Sequence, residues 1–180
     1  ALGQLAQLQR EAFSGTLIAI TGSTGKTSVK DLISSILGGM GTVHATKGNF
    51  NNHIGVPLTL LDMHRDSDFA VVEMGASAAS EISYLCSIAK PQISLINNVQ
   101  SAHLEGFGSV EGIAAAKGEI YSGLDAAGTA IVNLDQSWQT EWMELIGDRD
   151  CITFSLDDDG ADLSASDIEL MESGCCRFTL

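Results

Sequence analysis

The densest chemistry in this 180-residue chain lies in the run Thr21-Gly22-Ser23-Thr24-Gly25-Lys26-Thr27. The run follows the apolar stretch Thr16-Leu17-Ile18-Ala19-Ile20 and opens the helix-like segment Ser28 to Leu37. Strand, glycine turn, Gly-Lys-Thr, helix is the layout of a phosphate-binding loop. Glycine lets backbone N–H groups crowd around phosphate oxygens, and the helix N-terminus adds its positive dipole end. In that layout Lys26 reaches the outer phosphates and the Thr27 hydroxyl holds Mg²⁺. The candidate nucleotide-binding set is Gly22, Ser23, Thr24, Gly25, Lys26, Thr27 and Ser28. The full pattern G-x-x-x-x-G-K-[ST] wants glycine where this chain has Ile20, and an ordinary glycine turn is the alternative. The reading points to a protein that handles a nucleoside triphosphate.

Other polar residues end apolar runs. Glu73 closes Phe69-Ala70-Val71-Val72, and Asn97-Asn98 close Ile93-Ser94-Leu95-Ile96, ahead of Ser101 to Gly108. In a parallel sheet, ligands bind beyond the carboxyl ends of the strands, so these sets fall on the edge that carries the phosphate loop. An unpaired buried carboxylate is costly, and a metal ion would compensate it. Alone, Glu73 reads equally as a surface carboxylate and His103 as a loop histidine. Beside the phosphate loop, Glu73 becomes a metal ligand and His103 a second one.

Lys117 interrupts the helical stripe Ile113, Ala116, Ile120, Leu124. One reading is a packed stem with its ammonium in water. The other is a desolvated lysine with a depressed pKa, whose neutral amine could take up CO₂ as a carbamate and act as an anionic metal ligand. The segment Thr46 to Pro57 is polar and rich in amides, either a working loop or an amide-rich turn.

These groups need a scaffold that brings strand ends together. Continuous apolar strands alternate with helical patterns: a first helix within Ala1 to Phe13, then Glu81 to Ala89, a helix from about Ser109 to Leu124, and the strand Thr129 to Asn133. That alternation predicts an α/β fold, a mostly parallel sheet covered by helices on both faces. Cys151 to Ser155, Leu163 to Met171 and Cys175 to Leu180 alternate more strictly and predict a C-terminal antiparallel segment.

Composition bounds the function. The chain is 44% hydrophobic and 18% charged, as a globular domain is. No apolar run approaches the roughly 18–20 residues of a membrane span. A net charge of −14 argues against a nucleic-acid partner. From Asp135 to Glu172 there are twelve carboxylates and one base, Arg149. A phosphate site in so acidic a chain calls for Mg²⁺ beyond what Lys26 supplies. The four cysteines form no C-x-x-C and read as thiols in a reducing cytosol. The chain does not begin with Met and ends inside a strand-like run, so it reads as a piece of a longer protein.

The glycine loop, Gly48 to Pro57, Glu73-Met74-Gly75-Ala76, Ala102 to Ser109 and Ala116-Lys117-Gly118-Glu119-Ile120 resemble, in this order, the Mur ligases. That family's shortened phosphate loop dispenses with the first glycine. The resemblance spans about Leu17 to Leu180, and the asparagine-rich loop and His103-Leu104-Glu105-Gly106-Phe107-Gly108-Ser109 are its specific parts. It implies the P-loop-like central ATPase domain of a three-domain ligase. The UDP-sugar domain, the C-terminal domain and the end of the central domain would lie outside residues 1–180. It also implies ATP and a pair of Mg²⁺ ions as cofactors, and formation of an acyl phosphate on a UDP-MurNAc-tripeptide that D-Ala-D-Ala then attacks. By position Thr27, Glu73, His103 and Lys117 would serve the metals, with Lys117 carbamylated. Lys26, Asn49, Asn52, Lys117 and His103 would be the catalytic set. The implied setting is peptidoglycan synthesis in the bacterial cytoplasm, by a monomer. The alternatives are another Mur-type ligase, such as a folylpolyglutamate synthetase or the third-residue-adding enzyme, and a nucleotide-binding module without turnover. One departure is Ser80-Glu81-Ile82, where the family commonly has Gly-Glu-Ile. Serine is a sound helix N-cap, so the expectation is altered helix entry with activity kept.

Overall fold

Apolar runs with no polar interruption become strands when both faces of a sheet are covered. The computed structural model describes residues 1–101 and 104–180. Helix α1 (Leu2–Glu11) leads into β1 (Thr16–Thr21), α2 (Lys26–Leu37), β2 (Val43–Ala45) and α3 (Gly55–Leu61). Then come β3 (Phe69–Glu73), α4 (Glu81–Ala89), β4 (Ile93–Ile96), the short α5 (Leu104–Phe107) and α6 (Val110–Ser122). The chain continues through β5 (Thr129–Asn133), α7 (Gln139–Ile146), β6 (Asp150–Ser155) and β7 (Leu163–Ser164). It finishes with β8 (Ser166–Leu170) and β9 (Cys176–Thr179).

Seven strands form one sheet in the order β2-β3-β1-β4-β5-β6-β7, and β8 and β9 form a separate pair. Every pairing in the large sheet is parallel. Among the described residues, antiparallel pairing is confined to β8 and β9. The expected C-terminal antiparallel segment is therefore shorter than its alternation suggests, because Asp150–Ser155 and Leu163–Ser164 extend the parallel sheet.

Alternate residues of β1 feed two cores. Ile18 and Ile20, with Val71 and Leu95, pack under Val29, Ile33 and Leu37 of α2. Leu17 and Ala19 face the other way, into the larger cluster with Ile82, Leu85, Ile113 and Ile120 of α4 and α6. Fully burying each such aliphatic side chain is worth about 2 kcal/mol. The Arg10 guanidinium of α1 ties that helix to the end of α4, donating from Nε to Ala89 O (2.6 Å) and from Nη2 to Lys90 O (2.9 Å) and Gln92 Oε1 (2.9 Å).

Helix α6 begins where its sequence signals place it. Ser109 Oγ accepts from the Gly112 N–H at 3.1 Å, a cap worth about 1 kcal/mol. Among the described residues, no helix is long and apolar enough to cross a membrane. All four cysteines are free thiols.

Candidate nucleotide site

Strand β1 lies between β3 and β4, so the loops after these three strands meet at one edge. The phosphate loop leaves β1 there. Gly25 stands at the N-terminal boundary of α2 with φ 71°, a left-handed conformation that suits glycine. The first hydrogen bond of that turn runs from Val29 N–H to Gly25 O at 3.0 Å, so the preceding amides project from the helix end. The segment after β4 braces the loop from outside. Asn98 accepts from Ser23 N–H (2.9 Å) through its carbonyl and from Thr24 N–H (3.0 Å) through Oδ1. Asn97 Nδ2 donates to Thr24 O at 2.7 Å, and Gln100 N–H donates to Ser23 Oγ at 2.9 Å.

Lys26 folds back over this loop, its Nζ donating to Gly22 O (2.8 Å) and Ser23 O (3.3 Å). Burial lowers its pKa, and the Glu73 charge partly opposes that. Thr27 turns the other way, its Oγ1 donating to Glu73 Oε2 at 2.9 Å. Glu73 is only 2% exposed. Its Oε1 accepts from Asn51 Nδ2 at 2.8 Å, and its backbone N–H donates to Thr46 Oγ1 at 2.9 Å. Asn51 is fixed in turn by Gly75 N–H, which donates to its carbonyl at 2.7 Å. A Cβ on Gly75 would stand 3.0 Å from the Asn51 amide, so glycine permits the approach.

A cleft of about 310 Å³ opens between these elements. Gly22, Ser23 and Lys26 form one wall, and Asn51, Asn52 and His53 form another. Gly75, Ala76, Ser77 and Glu81 close a third side, and Lys117 of α6 completes it. Lys117 is 4% exposed, and its pKa is lowered to about 8, first by burial and then by the Lys26 charge. Among the described residues its ammonium has no hydrogen-bond or ion-pair partner. Of the two readings of this lysine, the geometry matches the desolvated amine.

The other candidate residues are placed as follows. Asn52 lines the cleft while its Oδ1 accepts from Ile54 N–H (3.0 Å) and Gly55 N–H (2.9 Å) at the start of α3. Asn49 sits on the exposed part of the loop, outside the cleft lining. Ser28 lies in the exposed first turn of α2. The expectation for His103 falls outside the described residues. Asn51, Ser77 and Glu81 line the cleft without having been singled out by sequence reasoning. The signal for Asn51 was its place in the amide-rich loop. Glu81 Oε2 accepts from Ser77 N–H at 2.6 Å and Ala78 N–H at 3.3 Å, and so shapes the loop after β3.

The donors fit a hard divalent cation. Thr27 and Glu73 present oxygens beside the glycine loop, and among the described residues the buried Glu73 carboxylate takes its hydrogen bonds from two neutral donors, Thr27 and Asn51. Among the described residues no group of three or more acidic, His or Cys side chains converges. Mg²⁺ keeps several waters and takes one or two carboxylates along with substrate phosphates, and Thr27 and Glu73 offer one hydroxyl and one carboxylate.

A parallel sheet with β1 central, a phosphate loop at its end and a buried carboxylate on the next strand defines a class of nucleotide-binding α/β domain. The chain belongs to the Mur ligase family: residues 20–179 match the Mur ligase middle domain. It is 44% identical over 180 residues to the UDP-N-acetylmuramoyl-tripeptide–D-alanyl-D-alanine ligase of Escherichia coli K12, covering 100% of this chain and 40% of that protein. The crystal structure of MurF from Acinetobacter baumannii superimposes with a TM-score of 0.92 at 37% identity, covering 98% of this chain and 38% of that one. MurF ligase from Thermotoga maritima, solved in complex with ADP, gives 0.82 at 33% identity, covering 95% and 39%. The chain thus spans about two fifths of the length of the relatives it matches.

Proposed function

We propose that this chain is the ATP-binding middle domain of a ligase that joins D-alanyl-D-alanine to UDP-N-acetylmuramoyl-tripeptide. The observation that carries the reading is the contact of Thr27 and Asn51 with buried Glu73, at the lip of a phosphate loop whose lysine faces the same cleft. Similarity to D-alanyl-D-alanine-adding enzymes along the whole chain supports the choice of substrates.

In this reading Lys26 exchanges the Gly22 and Ser23 carbonyls for the outer phosphates of ATP. The amides of Gly25 to Ser28 surround those phosphates, while Asn98 holds the amides of Ser23 and Thr24. Thr27 and Glu73 would hold Mg²⁺, with His103 completing the set and Lys117 serving a second ion as its carbamate. Bound there, Mg²⁺ would neutralise phosphate charge as the γ-phosphoryl group is transferred. Asn52 and Asn51 orient the terminal carboxylate of the tripeptide, whose oxygen attacks that phosphorus while ADP leaves. The amine of D-Ala-D-Ala then attacks the acyl carbon, loses a proton and expels phosphate, leaving the amide. The protein's part is positioning and charge neutralisation. The Lys117 ammonium first loses a proton; the neutral amine then adds through nitrogen to CO₂ and loses a second proton, so that a cation becomes an anion beside the metal. The setting is the bacterial cytoplasm, in the supply of peptidoglycan precursors, with a monomeric enzyme.

The test is phosphate release by the full-length protein that contains this chain. Release should require UDP-tripeptide and D-Ala-D-Ala together. Turnover with glutamate or diaminopimelate in place of the dipeptide would assign another Mur-type ligase. Nucleotide binding with no turnover on any acceptor would leave a non-catalytic module.

A further inference from the structure

Helix α2 carries a second buried lysine that the mechanism leaves unused. Lys30 lies one turn beyond Lys26 and is 5% exposed. A buried ammonium is costly unless it is partnered. Lys30 Nζ pairs with the exposed Asp31 carboxylate at 3.0 Å and donates to the Thr46 carbonyl at 2.8 Å.

Thr46 is itself buried, at the junction between β2 and the asparagine-rich loop. All three of its polar groups are engaged across elements. Its carbonyl takes Lys30, its N–H donates to Val71 O at 3.0 Å, and its hydroxyl accepts from Glu73 N–H at 2.9 Å. Five residues on, Asn51 returns to the Glu73 carboxylate, and Thr27, from the helix that bears Lys30, reaches the other oxygen of that carboxylate. The contacts close a ring: α2 to Thr46, Thr46 to the Glu73 backbone, and the Glu73 side chain back to α2.

We infer that Lys30 is a positioning residue, which ties the phosphate-binding helix to Thr46 and so holds Glu73 and the asparagine-rich loop in register with Thr27. The inference rests on the reading of Thr27 and Glu73 as a metal-binding pair. Without the ammonium, the buried Thr46 carbonyl loses its donor. The start of the loop is then free to move against the helix, and the Thr27–Glu73 spacing loosens. A purely stabilising lysine would instead affect the whole sheet evenly.

The experiment compares the full-length protein that contains this chain with its Lys30→Met and Lys30→Arg variants. Lys30→Gln replaces Lys30→Met if the latter does not fold. The first measurement is amide hydrogen exchange. In Lys30→Met the Glu73 and Gly75 N–H groups should exchange about tenfold faster, while Ala19 and Leu95 in the sheet core change little. Lys30→Arg should retain most of the protection. The second is calorimetric titration with ADP, with and without Mg²⁺. The gain in affinity that Mg²⁺ brings should fall about tenfold in Lys30→Met, as for other residues that orient metal ligands, with metal-free ADP affinity unchanged. Unchanged exchange at Glu73 and Gly75, or equal acceleration through the core strands, would overturn the inference. If Mg²⁺ brings no gain in the unsubstituted protein, the metal reading fails by itself, and the exchange pattern still decides whether Lys30 is the tether.

Discussion

Two lysines face one cleft from different helices, and their electrostatics set what each can do. Burial, and secondarily Lys26, holds Lys117 at a pKa of about 8, against an ordinary 10.5. The sign of the stability effect follows. Below pH 8 the ammonium is present in both the folded and unfolded chain, and the fold carries the full penalty of burying it. Between about 8 and 10.5 only the unfolded chain keeps the proton, so stability rises with pH through that window. Lys117→Met should therefore stabilise the chain at pH 6.5 by roughly 2–3 kcal/mol, and the gap should shrink towards pH 10.5. Urea titrations at both ends, without bicarbonate, check this, and a pH-independent difference would contradict the shifted pKa. In the full-length protein Lys117→Ala should lose activity that short carboxylic acids partly restore. Lys26→Ala should cut kcat by about 10²–10³ with the fold intact, as for the loss of one preorganised group at the transferring charge. A variant within tenfold of the parent would remove Lys26 from the phosphate site. The place of Lys117 was legible because helical spacing sets it among Ile113, Ala116 and Ile120. Which asparagine reaches Glu73 was not legible. A loop has no period, and the choice of Asn51 depends on Gly75 making room one strand away. Lys30 and Thr46 were invisible for a similar reason, since their bond joins two elements.

Helix α4 shows how one residue type can mislead about an element's start. Serine at position 80 reads as an N-cap, yet Ser80 has φ 68° and its side chain makes no cap hydrogen bond. Glu119, on α6, accepts from Ser80 N–H (2.6 Å) and Ser83 N–H (2.9 Å) instead. A left-handed conformation at this position explains why glycine would suit it. Ser80→Gly should raise stability by about 0.5–1 kcal/mol, the strain relieved less the entropy glycine costs. Denaturant unfolding of the variant measures it, and a loss would mean that the serine hydroxyl is needed. The strands buried on both faces, β1, β3 and β4, were legible to within a residue of their ends, because a single small polar residue, Ser94, interrupts their apolar runs. Strand β2 was not, being only three residues long. In β6 the alternation was real but reported the exposure of one face, Ile152 being 42% exposed, and carried no information on direction. Helix α3 was hidden because its first turn, Gly55-Val56-Pro57, lies at the end of the amide-rich loop. Proline is tolerated there, since first-turn amides need no partner within the helix.

For the molecule as a whole, the cleft of about 310 Å³ is at the small end of the range for ligand pockets. It has room for phosphates and a reacting carboxylate, and not for a nucleotide and two peptide substrates at once. The 180-residue chain should bind Mg-ADP weakly and release no phosphate from ATP when UDP-tripeptide and D-Ala-D-Ala are added. Ligation by the purified chain would refute the division of labour proposed for it. The position of β1 also bears on how the chain comes to exist. Its two partners begin at Phe69 and Ile93, so the strand that ends in the phosphate loop is synthesised long before anything can pair with it. Each pairing must close a long loop, and parallel sheets of this kind fold slowly for that reason. A nascent chain halted before Phe69 would present Leu17, Ile18 and Ile20 as an unpaired apolar strand. Such a species is prone to aggregation and a natural client for chaperones, and the segment most exposed during its birth is the one leading into the nucleotide site.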